Sequence, residues 1–219
     1  AKMKQLFMKG IVSIVVDPVK TTLANLATYH LQLRPGTNVA LLNMMAHYII
    51  QENLVSENFI QNRTEDFEEF KNHVINLDMD ALEELTGVSK ELVQKAAIAY
   101  ASANNAMEFH GLGVTEHYQG SKTVMLLANL AMMTGNIGRN GVGLNPLRGQ
   151  NNVQGAADMG VQPHQGAGYL EIENPEVQAY FAQKYGVEKM PTSEGLKIPE
   201  MLEQAIAGKF KALWIMGED

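Results

Sequence analysis

The sequence predicts an α/β fold made of two dinucleotide-type halves, and three observations carry that prediction. Residues 11–16 form an apolar, β-branched run closed by Asp17-Pro18, helical periodicity then recurs through the middle of the chain, and a second apolar run at 210–216 ends in Gly217-Glu218-Asp219. Strands buried on both faces read as continuous apolar runs, and open α/β sheets collect ligands at the carboxyl ends of their strands. The boundary between the halves is placed near residue 150, giving domains 1–150 and 151–219.

Each element is justified in turn. The chain opens at Ala1-Lys2-Met3 inside a helical pattern. After the first strand, a short extended piece over 30–33 leads into the turn Arg34-Pro35-Gly36-Thr37-Asn38, where Thr37 or Asn38 would cap a helix over 39–50. Helices follow over 67–75, 80–85 and 89–102, with Gly87 as a break and Ser89 as a cap. A strand over 106–109 runs into His110-Gly111-Leu112-Gly113, and a long apolar helix over 121–134 ends at Gly135. From 136 to 168 the chain is rich in Gly, Asn and Gln without apolar periodicity, and long loops of that kind are usually functional. Asn174-Pro175 then opens a helix, Pro199 opens another ending at Gly208, and residues 210–216 form the last strand. Both ends of the chain read as interrupted rather than finished.

Composition narrows the function. The 219 residues are 46% hydrophobic, enough for one sizeable core or two modest ones. A net charge of −7 lacks the basic footprint of a nucleic-acid or anionic-membrane binder. No apolar run reaches the roughly 18–20 residues of a membrane span. This reads as a soluble protein without direct membrane insertion, cytoplasmic in preference to periplasmic. The absence of cysteine excludes a disulfide, a thiolate metal site and a Cys nucleophile within this chain, and no metal ligand is assigned to it.

Four constellations can carry chemistry. Asp17, at a strand end, suits a ribose hydroxyl pair or the N1 and N2 donors of guanine, although Asp-Pro also simply ends strands. Gly36-Thr37-Asn38 ahead of a helix offers free N–H groups to a phosphate, or is only a capped helix start. Gly111-Leu112-Gly113 is half of a dinucleotide fingerprint, because position 116 is Glu rather than Gly, yet it would let a flat ring approach the backbone. His110 and His117 flank it, and each fits a satisfied structural histidine better than a metal ligand. The segment Asn145-Pro146-Leu147-Arg148-Gly149-Gln150-Asn151-Asn152-Val153-Gln154-Gly155 has no apolar pattern to fold it and would satisfy its polar side chains only by wrapping something polar. In it, Arg148 has the planar fork that suits a carboxylate or a phosphate, against the alternative of a solvated loop arginine.

Gly113-Val114-Thr115, Leu130 through Gly138 with its T-G-N-I-G core, Asn145 through Gly155 and Asp158-Met159-Gly160 together resemble the catalytic subunit of formate dehydrogenases in the molybdopterin oxidoreductase family. The likeness extends to Asp17-Pro18, to the loop 34–38 and to Met216-Gly217-Glu218-Asp219. The resemblance implies Rossmann-like, three-layer halves with parallel strands inside a larger multidomain molybdopterin oxidoreductase. It implies a bis-molybdopterin guanine dinucleotide cofactor with Mo or W, and a 4Fe-4S cluster in the parent but outside this chain. Arg148 would orient formate, Leu112 and Gln150 would contact the pterin, and Asp17 and Asp219 would hold nucleotide ends. Glu116 stands where relatives often carry Gln as a pterin donor. Nitrate reductases are similar up to the glycines and carry threonine at the position of Arg148.

The implied function is oxidation of formate to CO₂ by the parent, with this chain holding the cofactor and orienting the substrate. Implied partners are formate, the remaining domains of the parent and electron-transfer subunits. Two alternatives stand beside it: another oxidoreductase of the family, nitrate reductase-like, or a non-catalytic nucleotide-binding module when the chain is isolated, since the metal's protein ligand and the electron exit are not in these residues.

Overall fold

The computed structural model describes residues 2–215. The chain divides into two compact units, Ala1–Leu147 and Arg148–Asp219.

In the first unit, helix α1 (Lys2–Met8) precedes strand β1 (Ile14–Val16), which pairs in parallel with β2 (Tyr29–Leu31) in the register Ile14↔Tyr29, Val16↔Leu31. The run over 11–16 is therefore strand only in its second half. Ser13 and Thr28 exchange side-chain to backbone hydrogen bonds just before the ladder, which starts where β2 starts. Nor is this strand buried on both faces. Ile11, Val12 and Val16 are exposed, because β2 is the only strand beside it among the described residues.

Helix α2 (Asn38–Gln51) is the centre of this unit. Leu41, Met44 and Ile49 have no exposed surface, and Leu42, Met45, Ala46, Tyr48 and Ile50 are buried around them, so the helix is covered on every side. The cover is supplied by α4 (Phe67–Ile75), α5 (Met79–Thr86), α6 (Lys90–Ala101) and α8 (Gly120–Met133). Their ends follow local rules. Asp78 accepts from the Asp80 and Ala81 amides, Ser89 accepts from the Leu92 amide, and Gly87 closes α5 at φ +73°. At α2 the expected cap differs. Thr37 occupies the N-cap position, but its hydroxyl donates to the Arg34 carbonyl at 2.7 Å, and neither Thr37 nor Asn38 caps through its side chain. Helix α3 (Glu57–Arg63) is an element that its weak apolar pattern did not announce.

Strand β3 (Met107–His110) leads through α7 (Leu112–Thr115) and α8 to β4 (Gly143–Pro146), which pairs with β3 in parallel. This β-α-β crossover runs into the Gly- and Asn-rich stretch that reads as irregular. Gly-Leu-Asn-Pro has no apolar alternation, and its strand character comes from β3 alone. No helix among the described residues is long and apolar enough to cross a membrane.

The second unit begins with Arg148 and contains α9 (Val153–Asp158), a two-residue antiparallel pair of β5 (Gln165–Gly166) and β6 (Leu170–Glu171), α10 (Pro175–Tyr185) and α11 (Ile198–Ile206). Asn174 caps α10 by accepting from the Glu176 amide, with Pro175 next to it, as the pattern Asn-Pro requires. The anticipated last strand does not form over 210–215: these residues have no ladder partner among the described residues, and Leu213, Trp214 and Ile215 are exposed. An apolar run becomes a strand only when another strand accepts its hydrogen bonds. The second unit thus holds no parallel pair among its described residues.

Candidate functional site

The turn from α7 to α8 is set by Gly120. A Cβ there would lie well inside contact distance of the Thr115 carbonyl, and its amide bonds to the His117 carbonyl at 2.8 Å. The tight return pushes residues 116–118 outward, so that Glu116 and His117 are exposed and Tyr118 wholly so. His117, Tyr118, Gln119 and Thr123 then line a cleft of about 170 Å³ together with Gly36 and Asn38 at the start of α2. Gly36 adopts φ +86°, and a side chain there would meet nothing within 4 Å. The predicted phosphate corner and the segment after Gly111-Leu112-Gly113 are in this way brought together. His117, which the sequence favours as a structural residue over a metal ligand, is part of that lining.

Gly111 caps α7, and Leu112 and Glu116 follow it on exposed surface. A Cβ on Gly113 would meet nothing within 4 Å, and one on Gly111 would only touch the Leu147 carbonyl at 3.4 Å. Among the described residues, the space directly in front of Gly113 is therefore open. Asp17 sits at the end of β1, where its Oδ1 accepts from the Val19 amide at 2.7 Å and its carbonyl accepts from or faces His30 Nε2 at 2.9 Å. One carboxylate oxygen is spent on the turn, so a bidentate grip on a ligand would need that turn to yield.

Behind β3 lies a network that the motifs did not reveal. Asn136, from the T-G-N-I-G element, is buried; its Oδ1 accepts from the Ala106 amide at 3.1 Å and from Arg139, and its amide donates to Thr134 Oγ1 at 3.0 Å. The element thus pins the end of α8 to the start of β3. On the same strand, Glu108 receives a hydrogen bond from the Tyr100 hydroxyl through Oε1, while Oε2 is buried without a partner. Burial pushes the Glu108 carboxyl up to about 7, against the Tyr100 hydrogen bond that pulls it down. Burial and the Glu108 charge push the Tyr100 phenol well above its usual range. His110, two residues on and therefore on the same face, is buried with Nδ1 unpartnered, so it is not the satisfied histidine its context suggested. The only signal in the sequence was an acid inside Met-Glu-Phe-His.

In the second unit Arg148, Gln150, Asn151 and Asn152 are exposed, and Arg148 forms no ion pair among the described residues. Four residues separate Arg148 from α9, the last being Asn152 in a left-handed conformation at φ +54°. At the far end of α9, Asp158 Oδ1 accepts from Gln154 at 2.9 Å and from the Tyr169 hydroxyl at 2.7 Å, which hold its carboxyl below the usual range, the Tyr169 bond most. Asp219 lies outside the described residues. Among the described residues no cluster of three or more His, Asp or Glu side chains could hold a metal ion.

Comparison with known proteins gives a consistent setting. The profile of the molybdopterin oxidoreductase family matches residues 1–219. The chain is 46% identical to formate dehydrogenase H of Escherichia coli over 94% of its own length and 29% of that protein. It is 45% identical to a formate dehydrogenase subunit alpha of Methanocaldococcus jannaschii over 96% of its length and 31% of that subunit. The assimilatory nitrate reductase catalytic subunit of Bacillus subtilis is 36% identical over 94% of the chain and 29% of the subunit. Among solved structures, the acetylene hydratase of Pelobacter acetylenicus superposes with a TM-score of 0.60 at 28% identity, covering 63% of this chain and 19% of that one. The chain spans under a third of the curated relatives it matches.

Proposed function

The chain belongs to the molybdopterin oxidoreductase family, and on that footing we propose that it is the part of a formate dehydrogenase that grips the organic portion of the cofactor and presents an arginine to formate. Family and fold alone do not choose the reaction, since a nitrate reductase and a hydratase are among the similar proteins. The observation that carries the choice is Arg148. It stands within Asn-Pro-Leu-Arg-Gly-Gln-Asn-Asn-Val-Gln-Gly, exposed and without a carboxylate partner among the described residues, so its fork is free for a small carboxylate.

The residues fit the organic part of the cofactor. Gly36 and Asn38 at the start of α2 would hold a phosphate, and the open space before Gly111 and Gly113 admits a flat ring, with Leu112 and Glu116 beside it. A pterin contact by Gln150 follows from the likeness alone. Asp17 would hold a nucleotide end through its second oxygen, and Asp219 the other nucleotide. The guanine dinucleotide form, in two copies with Mo or W, follows from the likeness, as do a 4Fe-4S cluster and electron-transfer subunits belonging to the parent. When bound, the cofactor's metal supplies the two-electron acceptor. Arg148 neutralises the formate carboxylate and fixes its orientation, which is positioning and electrostatics rather than proton transfer. The finer architecture, Rossmann-like three-layer halves divided near residue 150, is supported in the first unit by two parallel strand pairs.

The test is Arg148→Lys in the full-length parent. Lysine keeps the charge and loses the fork, so kcat/KM for formate should fall about ten- to a thousandfold, the scale of one bidentate contact at roughly 1.5–4 kcal/mol. Metal and pterin content, measured on the same preparation, should stay unchanged. Near-normal kcat/KM at full loading would remove Arg148 from the site.

A further inference from the structure

The second unit contains a bracket that the proposed role of Arg148 leaves unused. Tyr169 is held in the left-handed region at φ +62°, directly after Gly168 at φ +74°. A tyrosine rests there only when its surroundings over-determine it. Its hydroxyl donates to Asp158 Oδ1 at 2.7 Å and lies 2.6 Å from Gln154 Nε2, which also donates to Asp158. Gln154 and Asp158 are one turn apart on α9, so one phenol grips the helix across a full turn. The backbone beneath is equally close: a Cβ on Gly160 would come within 2.5 Å of the Ala167 nitrogen and the Gly166 carbonyl carbon. Helix α9 is the element from which the loop 148–152 hangs.

We propose that Tyr169 is a positioning residue, whose hydroxyl clamps α9 to the 165–171 strap and thereby holds the loop that presents Arg148 and Gln150. The proposal rests on the reading of Arg148 as the formate-orienting residue. Without the clamp the loop samples other positions, and a site that is competent only part of the time binds more weakly in proportion to that fraction.

In the full-length protein, Tyr169→Phe deletes the hydroxyl and keeps the ring and its backbone. KM for formate should rise about three- to tenfold with kcat within a factor of two, the modest scale of a solvent-exposed hydrogen bond to a carboxylate. A merely structural loss would instead lower kcat, through fewer active molecules, at unchanged KM, and that pattern overturns the proposal. Asp158→Ala removes the other side of the clamp and should give the same KM rise. In an Arg148→Lys background Tyr169→Phe should add less than twofold, and full additivity likewise overturns it. Hydrogen exchange of the α9 amides separates this inference from the reading beneath it: faster exchange in Tyr169→Phe supports the clamp, and unchanged protection overturns it. Faster exchange in Tyr169→Phe with normal formate kinetics in both Tyr169→Phe and Arg148→Lys overturns the formate role of Arg148, whereas normal kinetics in Tyr169→Phe beside impaired kinetics in Arg148→Lys overturns the positioning role of Tyr169.

Discussion

The first unit surrounds α2 with Leu31, Val74, Val93 and Met133, all essentially without exposed surface, whereas Phe181 is the only buried hydrophobic side chain among residues 148–215. What orders the second unit locally is of a different kind: the Tyr169 bracket, glycines at which backbone meets backbone, and Phe181 lying against Gly166 and stacked on Tyr185. On α11 the apolar residues Ile198, Leu202 and Ile206, spaced by four, all face solvent. A core that excludes water tolerates approximate chemistry but not lost volume, while a polar bracket fails with one atom and hardly notices lost volume.

Truncation should expose that difference most strongly. Ile49→Ala removes a side chain with no exposed surface from the centre of the first unit and should cost about 2–5 kcal/mol by denaturant unfolding. Leu202→Ala on α11 should stay within about 0.5 kcal/mol. Equal costs would mean that the second unit has a core of its own.

The buried acid of the first unit gives the next effect. Glu108 titrates at about 7 in the folded protein because of burial, and near 4.5 when unfolded. Its folded value is raised, so the stability tied to its neutral form is complete below pH 4.5 and is lost as pH rises through 7. Glu108→Gln cannot lose a proton. The variant should match the parent chain at pH 4 and exceed it by about 2–3 kcal/mol at pH 8–9, measured by thermal unfolding across that range. A difference independent of pH would show that Glu108 is not held in a dry environment.

Smallest is the backbone term in the second unit. Gly160→Ala forces a side chain onto φ +79° and against the backbone of 166–167, and should cost about 1–3 kcal/mol. Its effect should be largest on exchange of the α9 amides, and a neutral result would show that the strap moves away freely.

Local signals determined much of this protein. The helices over 67–75, 89–102 and from Asn174-Pro175 could be read from spacing and caps, because a helix closes its hydrogen bonds within four residues and its ends obey Ser, Asn, Pro and Gly rules. The family was legible too, in the T-G-N-I-G element and in the segment around Arg148. Tertiary structure alone decided the rest. Strand β4 exists because β3 lies beside it, and the strand expected over 210–216 is missing through 215 for want of such a neighbour. The bond from Tyr100 to Glu108, the burial of Glu108 Oε2 and His110 Nδ1 without partners, and the grip of Tyr169 on Asp158 depend on residues that no local pattern links. Strand pairing, burial and side-chain brackets are properties of two chain segments at once, and a sequence displays only one segment at a time.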